Sequence, residues 1–487
     1  MSDPMNPIKM NVTSRKNTLR EHADKFASDR LKWAKRSQYF HDIDKTYLRF
    51  LIPENKRVLE LGCGAGDLLA STHPEFGVGI DLSPKMISLA KQQHPNLSFI
   101  IGDIENPDLL HGIDSDPFDY IILSDTIGFL DDCQSTFELL HTLCHRDTRI
   151  IVNFYSYNWS PILSLLEKIG LKMPQQENNY LSLADIANIF QLADFDIVKQ
   201  DRHTLLPARL FGLGPFVNKY IGALPLIRSL CLRNYTLVRS MQKAPYKEKS
   251  TSVIIPCRNE KGNIEAAINR LPRFCADLEV IFIEGHSKDG TFDEIKRVAD
   301  AYGSDIKIRY AQQDGIGKHD AMKKGYAMAK GDILMILDAD LTVPPEDMPK
   351  FYEALISGKG NFINGSRLVY PMQDQAMRFL NLKANITFSY IFSWLLNQRL
   401  SDTLCGTKVL TRAHYQRIEE GRDYFGDFDP FGDFDLIFGA SKQNLKIIDL
   451  PIRYGSRNYG ETQISRFSHG WLLLKMVVFA FRKLKTL

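Results

Sequence analysis

The stretch Val58-Leu-Glu-Leu-Gly-Cys-Gly-Ala-Gly66 decides the fold of the first half of the chain. Its apolar residues predict a buried strand over 57–61, and the three glycines predict a tight loop before a helix. Glycine has no Cβ, so a ligand can approach the loop backbone, where the N–H groups of the helix start point outward. A strand, a glycine loop and a helix in this order indicate an α/β fold with a ligand site at the sheet edge.

Outward from this loop, strands alternate with segments long enough for crossover helices. In the first half, further strands are predicted at 77–81, 97–101, 118–123 and 148–153. The alternation begins again near residue 251, with strands predicted at 252–256, 279–283, 307–310 and 332–337. Strands separated in this way pair in parallel. The sequence therefore predicts an α/β protein with two tandem doubly wound sheets.

The length of 487 residues also favours two or three domains over one. We expect a first domain over 1–200 with a helical segment at its N-terminus, a linker over 201–249, and a second domain over 250–487 that ends in an amphipathic helix. The linker is unusual because 202–247 contains no Asp or Glu but eight Lys or Arg among Leu, Phe, Ile and Tyr.

Composition and charge argue against several classes of protein. The 61 Lys and Arg nearly balance the 58 Asp and Glu, and the net charge of +3 gives no global argument for a nucleic-acid partner. The seven cysteines lack a CxxC pair, which indicates neither a disulfide framework nor a zinc site. The N-terminus has no apolar secretion signal, and no uncharged apolar run approaches the roughly 20 residues that span a bilayer. We therefore expect a cytoplasmic protein that does not cross a membrane.

Asp81 ends the second predicted strand. It limits the classes of ligand that the first loop is expected to bind. The glycine spacing is GxGxG rather than the dinucleotide-binding GxGxxG, and a carboxylate at Asp81 can accept hydrogen bonds from both hydroxyls of a ribose. Asp103 and Asp125 follow the next two strands, so polar groups recur at successive carboxyl strand ends. The pattern favours an adenosine-type cofactor.

The segment from about residue 30 to residue 200 resembles the class I S-adenosylmethionine-dependent methyltransferases in the order and spacing of these residues. The cofactor-binding residues that the resemblance implies are Glu60, Gly62, Gly64 and Gly66 at the methionine, Asp81 at the ribose, and Asp103 with Ile104 at the adenine. Methyl transfer needs little beyond in-line positioning. The acceptor and its base stay open, and the candidates for the base are Tyr155, Tyr157, His141 and His203.

A second site is predicted at Gly331-Asp-Ile-Leu-Met-Ile-Leu-Asp338-Ala-Asp340, where a buried strand ends in two carboxylates one residue apart. Mg²⁺ or Mn²⁺ on a diphosphate takes oxygen ligands and usually only one or two carboxylates from the protein. We therefore predict Asp340 as the first metal ligand, with Asp338 assisting it. The upstream loop Gly315-Ile-Gly-Lys318 can cover the diphosphate, so Lys318 is a substrate-binding candidate.

Through two further motifs, the segment from about residue 250 to residue 470 resembles the family 2 glycosyltransferases of GT-A fold. Pro256-Cys-Arg-Asn-Glu260 stands where this family receives a nucleotide sugar, and the residues implied to bind it are Pro256, Arg258, Asn259 and Glu260. In 283–291, Glu284 and Gly285 replace the family's usual Asp-Asp pair. Glu284 can still accept hydrogen bonds from the base or the ribose.

Downstream motifs resemble the acceptor half of polyprenyl-phosphate glycosyltransferases of the dolichyl-phosphate mannose or glucose synthase type. The substrate-binding residues implied are Ser366 and Arg367 at the acceptor phosphate and Arg457 over the phosphates. The catalytic residues implied are Asp402 near the sugar and Asp433 or Asp435 at the reacting centre. An acceptor phosphate needs no strong base, whereas a sugar hydroxyl would use Asp433 as general base.

The whole sequence predicts a bifunctional enzyme that transfers a methyl group from S-adenosylmethionine and, with a divalent metal, a hexose from a nucleotide sugar to a polyprenyl-phosphate or glycan acceptor. Two alternatives stay open: a cell-surface polysaccharide glycosyltransferase that acts without a carrier lipid, and a protein in which one half is a non-catalytic scaffold. Three acid-free apolar segments, 202–247, 375–401 and 462–487, predict contact with a membrane surface. We expect the protein on the inner face of the cytoplasmic membrane.

Overall fold

The computed structural model describes residues 13–174, 181–370, 379–426, 432–455, 459 and 466–486. The chain divides into two units, Met1–Ala244 with Thr486–Leu487 and Pro245–Lys485. Each unit is built on a seven-stranded sheet with connecting helices. The prediction of an α/β protein with two sheets is confirmed.

The first sheet has the strand order β3-β2-β1-β4-β5-β7-β6. Its strands are β1 (Arg57–Leu61), β2 (Phe76–Asp81), β3 (Ser98–Ile101), β4 (Phe118–Ser124), β5 (Cys144–Tyr155), β6 (Phe195–His203) and β7 (Arg233–Ser240). Its helices are α1 (Ser14–Arg36), α2 (Gln38–Leu51), α3 (Asp67–Ser71), α4 (Pro84–Gln93), α5 (Pro107–His111), α6 (Cys133–Leu140), α7 (Ser160–Lys168), α8 (Leu183–Leu192) and α9 (Leu213–Phe216). The first five strands pair in parallel, and β7 runs antiparallel to both of its neighbours.

Apolar side chains on both faces explain why β1 lies inside this sheet. Leu59 and Leu61 belong to one buried cluster, while Val58 belongs to another. Alternate residues of a strand point to opposite faces, so β1 needs an apolar residue at nearly every position. The helix after β2 also begins as its sequence indicates, because Ser83 accepts a hydrogen bond from the N–H of Met86 at 3.1 Å and Pro84 occupies the first turn.

The prediction of a linker over 201–249 does not hold for most of that segment. Strand β7 lies within it and pairs with β5 and β6. The strand was not predicted because its arginines are typical of a solvent-exposed segment. Arg233 and Arg239 are buried, and they pair with carboxylates of other elements: Arg233 with Asp44 and Asp125, and Arg239 with Asp196. The first unit therefore continues to Ala244.

The second sheet has the order β10-β9-β8-β11-β13-β12-β14, in which only β13 is antiparallel to its neighbours. Its strands are β8 (Thr251–Cys257), β9 (Leu278–Glu284), β10 (Lys307–Gln312), β11 (Ile333–Ile336), β12 (Phe362–Ser366), β13 (Lys408–Thr411) and β14 (Ile447–Pro451). Its helices are α10 (Ile264–Arg270), α11 (Thr291–Tyr302), α12 (Lys318–Met328), α13 (Met348–Ile356), α14 (Phe379–Leu396), α15 (Arg412–Glu420), α16 (Asp433–Lys442) and α17 (Arg466–Leu484).

Neighbouring parallel strands bring the predicted second site together. The strands β9, β8 and β11 lie side by side in parallel, so the loops that follow Glu284, Cys257 and Ile336 meet at one edge of the sheet. Among the helices in the described ranges, none has both the length and the apolarity needed to span a bilayer.

Candidate active sites

The glycine loop after β1 folds tightly around Thr126. Gly62 has φ of 78°, and a Cβ built on it would lie 2.3 Å from Oγ1 of Thr126. A larger residue would therefore meet both a steric clash and a left-handed backbone. Because Gly62 has no side chain, the loop can turn at the end of β1.

Two predicted carboxyl groups hold this loop in place. Asp81 accepts hydrogen bonds from the N–H groups of Gly64 at 2.8 Å and Ser83 at 2.9 Å. Glu60 accepts one from the N–H of Leu69 at 2.9 Å. Burial raises the pKa of Asp81, and it raises the pKa of Glu60 to about 8, so Glu60 is largely protonated at neutral pH.

The N-terminal helix α1 covers the carboxyl ends of β2 and β3. Lys16 Nζ lies 2.6 Å from both Asp103 Oδ2 and Glu105 Oε2. Near the middle of α1, Asp24 Oδ1 accepts a hydrogen bond from Ser83 Oγ at 2.5 Å. Sequence reasoning missed this helix as part of the site, and it placed Asp103 against the adenine without an ion-pair partner.

These elements enclose a cavity of about 640 Å³, within the range of small-molecule sites. The predicted cofactor residues that line it are Glu60, Gly62, Gly64, Asp81, Asp103 and Ile104. Gly66 is not among the lining residues; a Cβ there would lie 2.6 Å from the ring of Phe99. Six of the seven predicted cofactor residues therefore meet at one cavity.

The four candidates for the methyl-transfer base separate clearly in the structure. Tyr155 lines the cavity. His141 is buried between Ser240 Oγ at 2.7 Å and the Ala193 carbonyl at 2.8 Å, and His203 contacts Asp201 at 3.1 Å. Tyr157 is exposed and, like both histidines, lies outside the cavity lining.

His41, which sequence reasoning missed, also lines the cavity. It lies on α2. Burial, together with the positive charges of Arg30 and Arg233, lowers the pKa of His41 to about 4. The imidazole is therefore neutral at physiological pH. His41 stands in no recognisable local motif, so the sequence alone did not identify it.

In the second unit, the two loops predicted to receive the nucleotide are tied to each other. The N–H of Asn259 donates to Ser287 Oγ at 2.8 Å, and the N–H of Lys288 donates to Asn259 Oδ1 at 2.9 Å. Glu260 is buried and accepts from Asn263 Nδ2 at 2.7 Å. Pro256 is half-buried and Arg258 is exposed at the same edge.

Glu284 does not reach into open space as its predicted contact with a nucleoside requires. It is buried, and its two carboxylate oxygens accept from the N–H of Ser287 at 2.5 Å and from Gln312 Nε2 at 2.9 Å. Burial acts to raise the pKa of Glu284, but the hydrogen bonds from Ser287 and Gln312 outweigh it and lower the pKa. The structure gives Glu284 a supporting role in the loop.

Asp338 and Asp340 follow β11 directly, as predicted. Lys318 Nζ lies 2.6 Å from Asp338 Oδ1, and Asp340 Oδ1 accepts from the N–H of Thr342 at 3.1 Å and its hydroxyl at 2.8 Å. Burial works to lower the pKa of Lys318, but Asp338 and Asp433 raise it overall. The ammonium of Lys318 is therefore the counter-ion of this acidic edge.

Gly406 lies directly against the Asp338–Lys318 pair. A Cβ at this position would be 2.0 Å from Asp338 Oδ2 and 2.6 Å from Lys318 Nζ. We expect Gly406→Ala to displace both groups and to lower the predicted sugar transfer by about 10²-fold, the scale of a small misplacement in a catalytic site. In Gly455→Ala, by contrast, the new Cβ meets only the Thr342 carbonyl at 3.8 Å. Initial rates of the two variants test this, and equal rates would contradict the placement of Gly406.

Asp402 forms a buried ion pair with Arg367. Its carboxylate is fully buried. It accepts hydrogen bonds from Arg367 Nε at 2.7 Å, from Arg367 Nη2 at 2.8 Å and from Asn385 Nδ2 at 2.9 Å. This burial argues against the predicted catalytic role of Asp402 near the sugar, which stays a prediction. Ser366, predicted at the acceptor phosphate, is also fully buried and accepts from Ser401 Oγ at 2.9 Å.

The remaining predicted acids differ in their surroundings. Asp435 is buried in an ion pair with Arg422 at 2.8 Å, which argues against a direct role in catalysis. Asp433, in the first turn of α16, lies 3.8 Å from Lys408 Nζ and contributes to the raised pKa of Lys318. Asp433 is thus the predicted catalytic acid that the structure brings to the Asp338–Lys318 pair. Arg457 lies outside the described residues.

The donor set at this edge fits a divalent cation bound mainly through a nucleotide. Asp338 and Asp340 supply hard oxygen ligands. In the described part of the chain, no group of three or more His, Cys, Asp or Glu side chains forms a metal site. Two protein carboxylates, with the diphosphate and water completing the shell, match what Mg²⁺ takes in such sites.

Comparison with known proteins covers both units. Residues 35–200 match the family model of a methyltransferase domain, and residues 252–417 match that of glycosyl transferase family 2. A dolichol-phosphate mannosyltransferase of Pyrococcus furiosus is 34% identical over 219 residues, which are 44% of this chain and 58% of the relative. An undecaprenyl-phosphate 4-deoxy-4-formamido-L-arabinose transferase of Aeromonas hydrophila is 37% identical over 114 residues, which are 23% of this chain and 35% of the relative.

The chain thus spans about a third to three fifths of the length of these two relatives. A solved structure of a SAM-dependent methyltransferase, possible histamine N-methyltransferase, from Thermotoga maritima aligns with 45% of this chain and 99% of its own length, at 14% identity and a TM-score of 0.35.

Each unit therefore contains a segment that matches a transferase family: residues 35–200 match a methyltransferase domain, and residues 252–417 match glycosyl transferase family 2. The predicted family resemblances and the prediction of an enzyme are confirmed at this level.

Proposed function

We propose that the protein is bifunctional. The first unit transfers a methyl group from S-adenosylmethionine, and the second transfers a hexose from a nucleotide sugar to a polyprenyl phosphate with the help of Mg²⁺ or Mn²⁺. The observation that carries the proposal is that each unit gathers its own acidic side chains at the carboxyl edge of its own sheet: Asp81 and Asp103 in one, Asp338, Asp340 and Asp433 in the other.

In the first unit, the cavity residues bind and orient the cofactor. Asp81 stands at the end of β2, where its carboxylate can receive the ribose hydroxyls while it holds the glycine loop through Gly64. Glu60, largely uncharged, keeps the start of α3 in place through Leu69. Methyl transfer is an in-line displacement, so orientation and exclusion of water by α1 account for most of the catalysis that the unit needs to supply.

In the second unit, Asp340 with Asp338 would hold the divalent cation, which when bound neutralises charge on the leaving diphosphate. Lys318 adds a fixed positive charge beside Asp338, where it can also face the diphosphate. A phosphate acceptor is already ionised near neutral pH and needs no base, while Asp433 is the group placed to accept a proton from a hydroxyl acceptor. The acceptor phosphate is favoured because both relatives described above are named for lipid-phosphate acceptors.

A polyprenyl phosphate is held in a membrane, and α17 supports residence of the second unit at that surface. Trp471, Leu474 and Val478 recur at the spacing of one helical face and are exposed, while Leu473 and Met476 are buried on the other side. An exposed apolar stripe with a tryptophan near one end is typical of helices that lie in the membrane interface. We therefore propose peripheral binding at the inner face of the cytoplasmic membrane.

The cofactor proposal is tested by calorimetry on the full chain. Asp81→Ala is expected to weaken S-adenosylmethionine binding by about 1–3 kcal/mol, the scale of hydrogen bonds lost from a charged group. Asp108→Ala, an exposed acid on α5 of the same unit, is the matched control and should bind as the unchanged protein does. Equal affinity in the two variants would refute the role of Asp81.

A further inference from the structure

The first unit exposes two sets of large apolar side chains. On α7, Ile162 and Leu165 are exposed, followed at the helix end by Ile169, and this spacing places them on one helical face. The second set lies in residues 205–230. Its exposed members are Leu210, Phe211, Leu213, Phe216, Tyr220, Leu224, Leu226 and Leu230. Soluble monomers rarely leave so many neighbouring apolar side chains in water without a partner for them.

The most exposed member of the second set, Phe211, stands in a strained backbone segment. Phe211 is fully exposed and Leu226 is 88% exposed. Leu210 and Phe211 have φ of 42° and 56°, in the left-handed region that large side chains rarely adopt. Strain of this kind persists only where the surrounding fold imposes it, and it often accompanies a functional contact.

The two sets form one surface, which we name the α7/205–230 surface. Trp159, just before α7, donates from Nε1 to the Leu230 carbonyl at 2.8 Å. Beneath them, Leu163 of α7 and Leu232 share one buried cluster with Phe40, and Trp159 packs against it. The exposed side chains of α7 and of 205–230 therefore stand on a common buried base.

This surface adjoins the cavity through helix α2. Asn218 Nδ2 donates to the hydroxyl of Tyr39 at 3.0 Å, and the guanidinium of Arg209 lies 5.8 Å from the Tyr39 ring. Phe40 stacks on Tyr155 at 5.9 Å. Both Tyr155 and the next residue of α2, His41, line the cavity. A molecule held at the surface would thus be next to the wall of the cavity that α2 forms.

Charge indicates which partner covers the surface. The whole segment 202–247 contains no Asp or Glu, and Arg209 and Lys219 stand among its exposed apolar side chains. An anionic lipid surface attracts such cations and receives protruding aromatic and aliphatic side chains without a preformed pocket. A protein partner would need pockets that match Phe211 and Leu226.

We propose that the α7/205–230 surface docks the first unit on an anionic lipid bilayer, and that the methyl acceptor is an amphipathic molecule of that bilayer whose polar part enters the cavity past His41 and Tyr155. The second part rests on the proposed methyl transfer. In the reaction, the S–CH₃ bond breaks with its electron pair left on sulfur, a bond forms from the acceptor heteroatom to the methyl carbon, and the acceptor's proton is released to solvent.

Docking is tested with the full chain and vesicles of phosphatidylcholine with about a third phosphatidylglycerol, a content that gives a strongly anionic surface. The double variant Phe211→Ser/Leu226→Ser should lower partition into floated vesicles at least tenfold, because both side chains lose their insertion into the apolar phase. Leu192→Ser, at an exposed leucine of α8 outside the surface, is the matched control and should partition as the unchanged protein does. All three should bind S-adenosylmethionine equally, which shows that the unit is folded.

Two results would overturn the docking. One is equal partition of the double variant and the control. The other is a sedimentation result in which the unchanged protein is a dimer and the double variant is a monomer. The surface would then bind a second copy of the chain. If S-adenosylmethionine binds but the unchanged protein stays with the aqueous phase, this inference fails while the proposed methyl transfer stands.

The acceptor class is tested by supplying labelled S-adenosylmethionine with extracted membranes. Label should enter the organic phase, and the double variant should transfer it at least tenfold more slowly at equal cofactor affinity. Label found only in water-soluble products would contradict a membrane-held acceptor. No label in any product, with cofactor binding intact, would instead count against the proposed methyl transfer itself.

Discussion

Asp340→Asn is expected to lower sugar transfer by on the order of 10²–10³-fold while methyl transfer by the same chain is unchanged. The loss follows because an amide cannot replace a carboxylate as the charged ligand of a divalent cation beside a diphosphate. The fold should survive, since the hydrogen bonds from Thr342 to Asp340 Oδ1 can also be accepted by an asparagine oxygen. The effect should therefore appear in rate and in metal affinity rather than in stability.

The measurement is the initial rate of sugar transfer over a series of Mg²⁺ and Mn²⁺ concentrations, with methyl transfer assayed in the same preparation. Asp300→Asn removes an exposed carboxylate of α11 in the same unit and serves as the matched control. Full sugar transfer by the Asp340 variant, or activity that a chelator leaves unchanged, would contradict the assignment.

The second large effect concerns stability. Asp402→Ala is expected to lower the free energy of unfolding of the second unit by about 3–5 kcal/mol, because it leaves the Arg367 guanidinium without its buried partner. The carboxylate is fully buried and makes two hydrogen bonds to the guanidinium. Removing one partner of such a pair costs far more than the pair itself contributes.

A matched control exists on the surface of the same unit. Arg270 and Glu346 form the same two-pronged contact at 2.8 and 2.9 Å, but both side chains are exposed. Glu346→Ala should therefore lower the free energy of unfolding by no more than about 1 kcal/mol. Denaturant midpoints of the two variants decide the matter, and similar small shifts in both would show that Asp402 is not the buried anchor described above.

The Asp402 pair also gives stability a definite dependence on pH. Burial would raise the pKa of Asp402, but Arg367 and the hydrogen bond from Asn385 prevail and lower it to about 2. Its pKa in the unfolded chain is about 3.9. The contribution of this group is therefore complete above about pH 4 and is lost as the pH falls toward 2. In Asp402→Ala, that acid-dependent part of the unfolding free energy should be absent.

Sequence patterns predicted the sheets and the edges at which the sites lie because these features are local. An apolar strand followed by a glycine loop or an acid pair marks the carboxyl end of a strand, and parallel pairing brings such ends together. Asp81, Asp103, Asp338 and Asp340 were located in this way. The antiparallel strand β7 was missed because its buried arginines resemble a solvated basic segment until their distant carboxylate partners are known.

Side-chain direction and long-range pairing could not be predicted from the same patterns. Lys16 meets Asp103 across 87 positions of the chain, and no local motif records that contact. Asp402 and Glu284 stand in motifs whose positions were predicted well, yet their carboxylates point into the protein and support neighbouring groups. Which acid faces the substrate and which one supports a loop depends on the packing around each residue.

The central claim, two independent transferase activities in one chain, is tested most directly by one experiment on purified protein. Extracted membranes are incubated with methyl-labelled S-adenosylmethionine and sugar-labelled nucleotide sugars, using the unchanged protein, Asp81→Ala and Asp340→Asn. The account predicts that the unchanged protein transfers both labels, that Asp81→Ala loses methyl transfer alone, and that Asp340→Asn loses sugar transfer alone. Absence of either activity in the unchanged protein, or loss of both in a single variant, would contradict it.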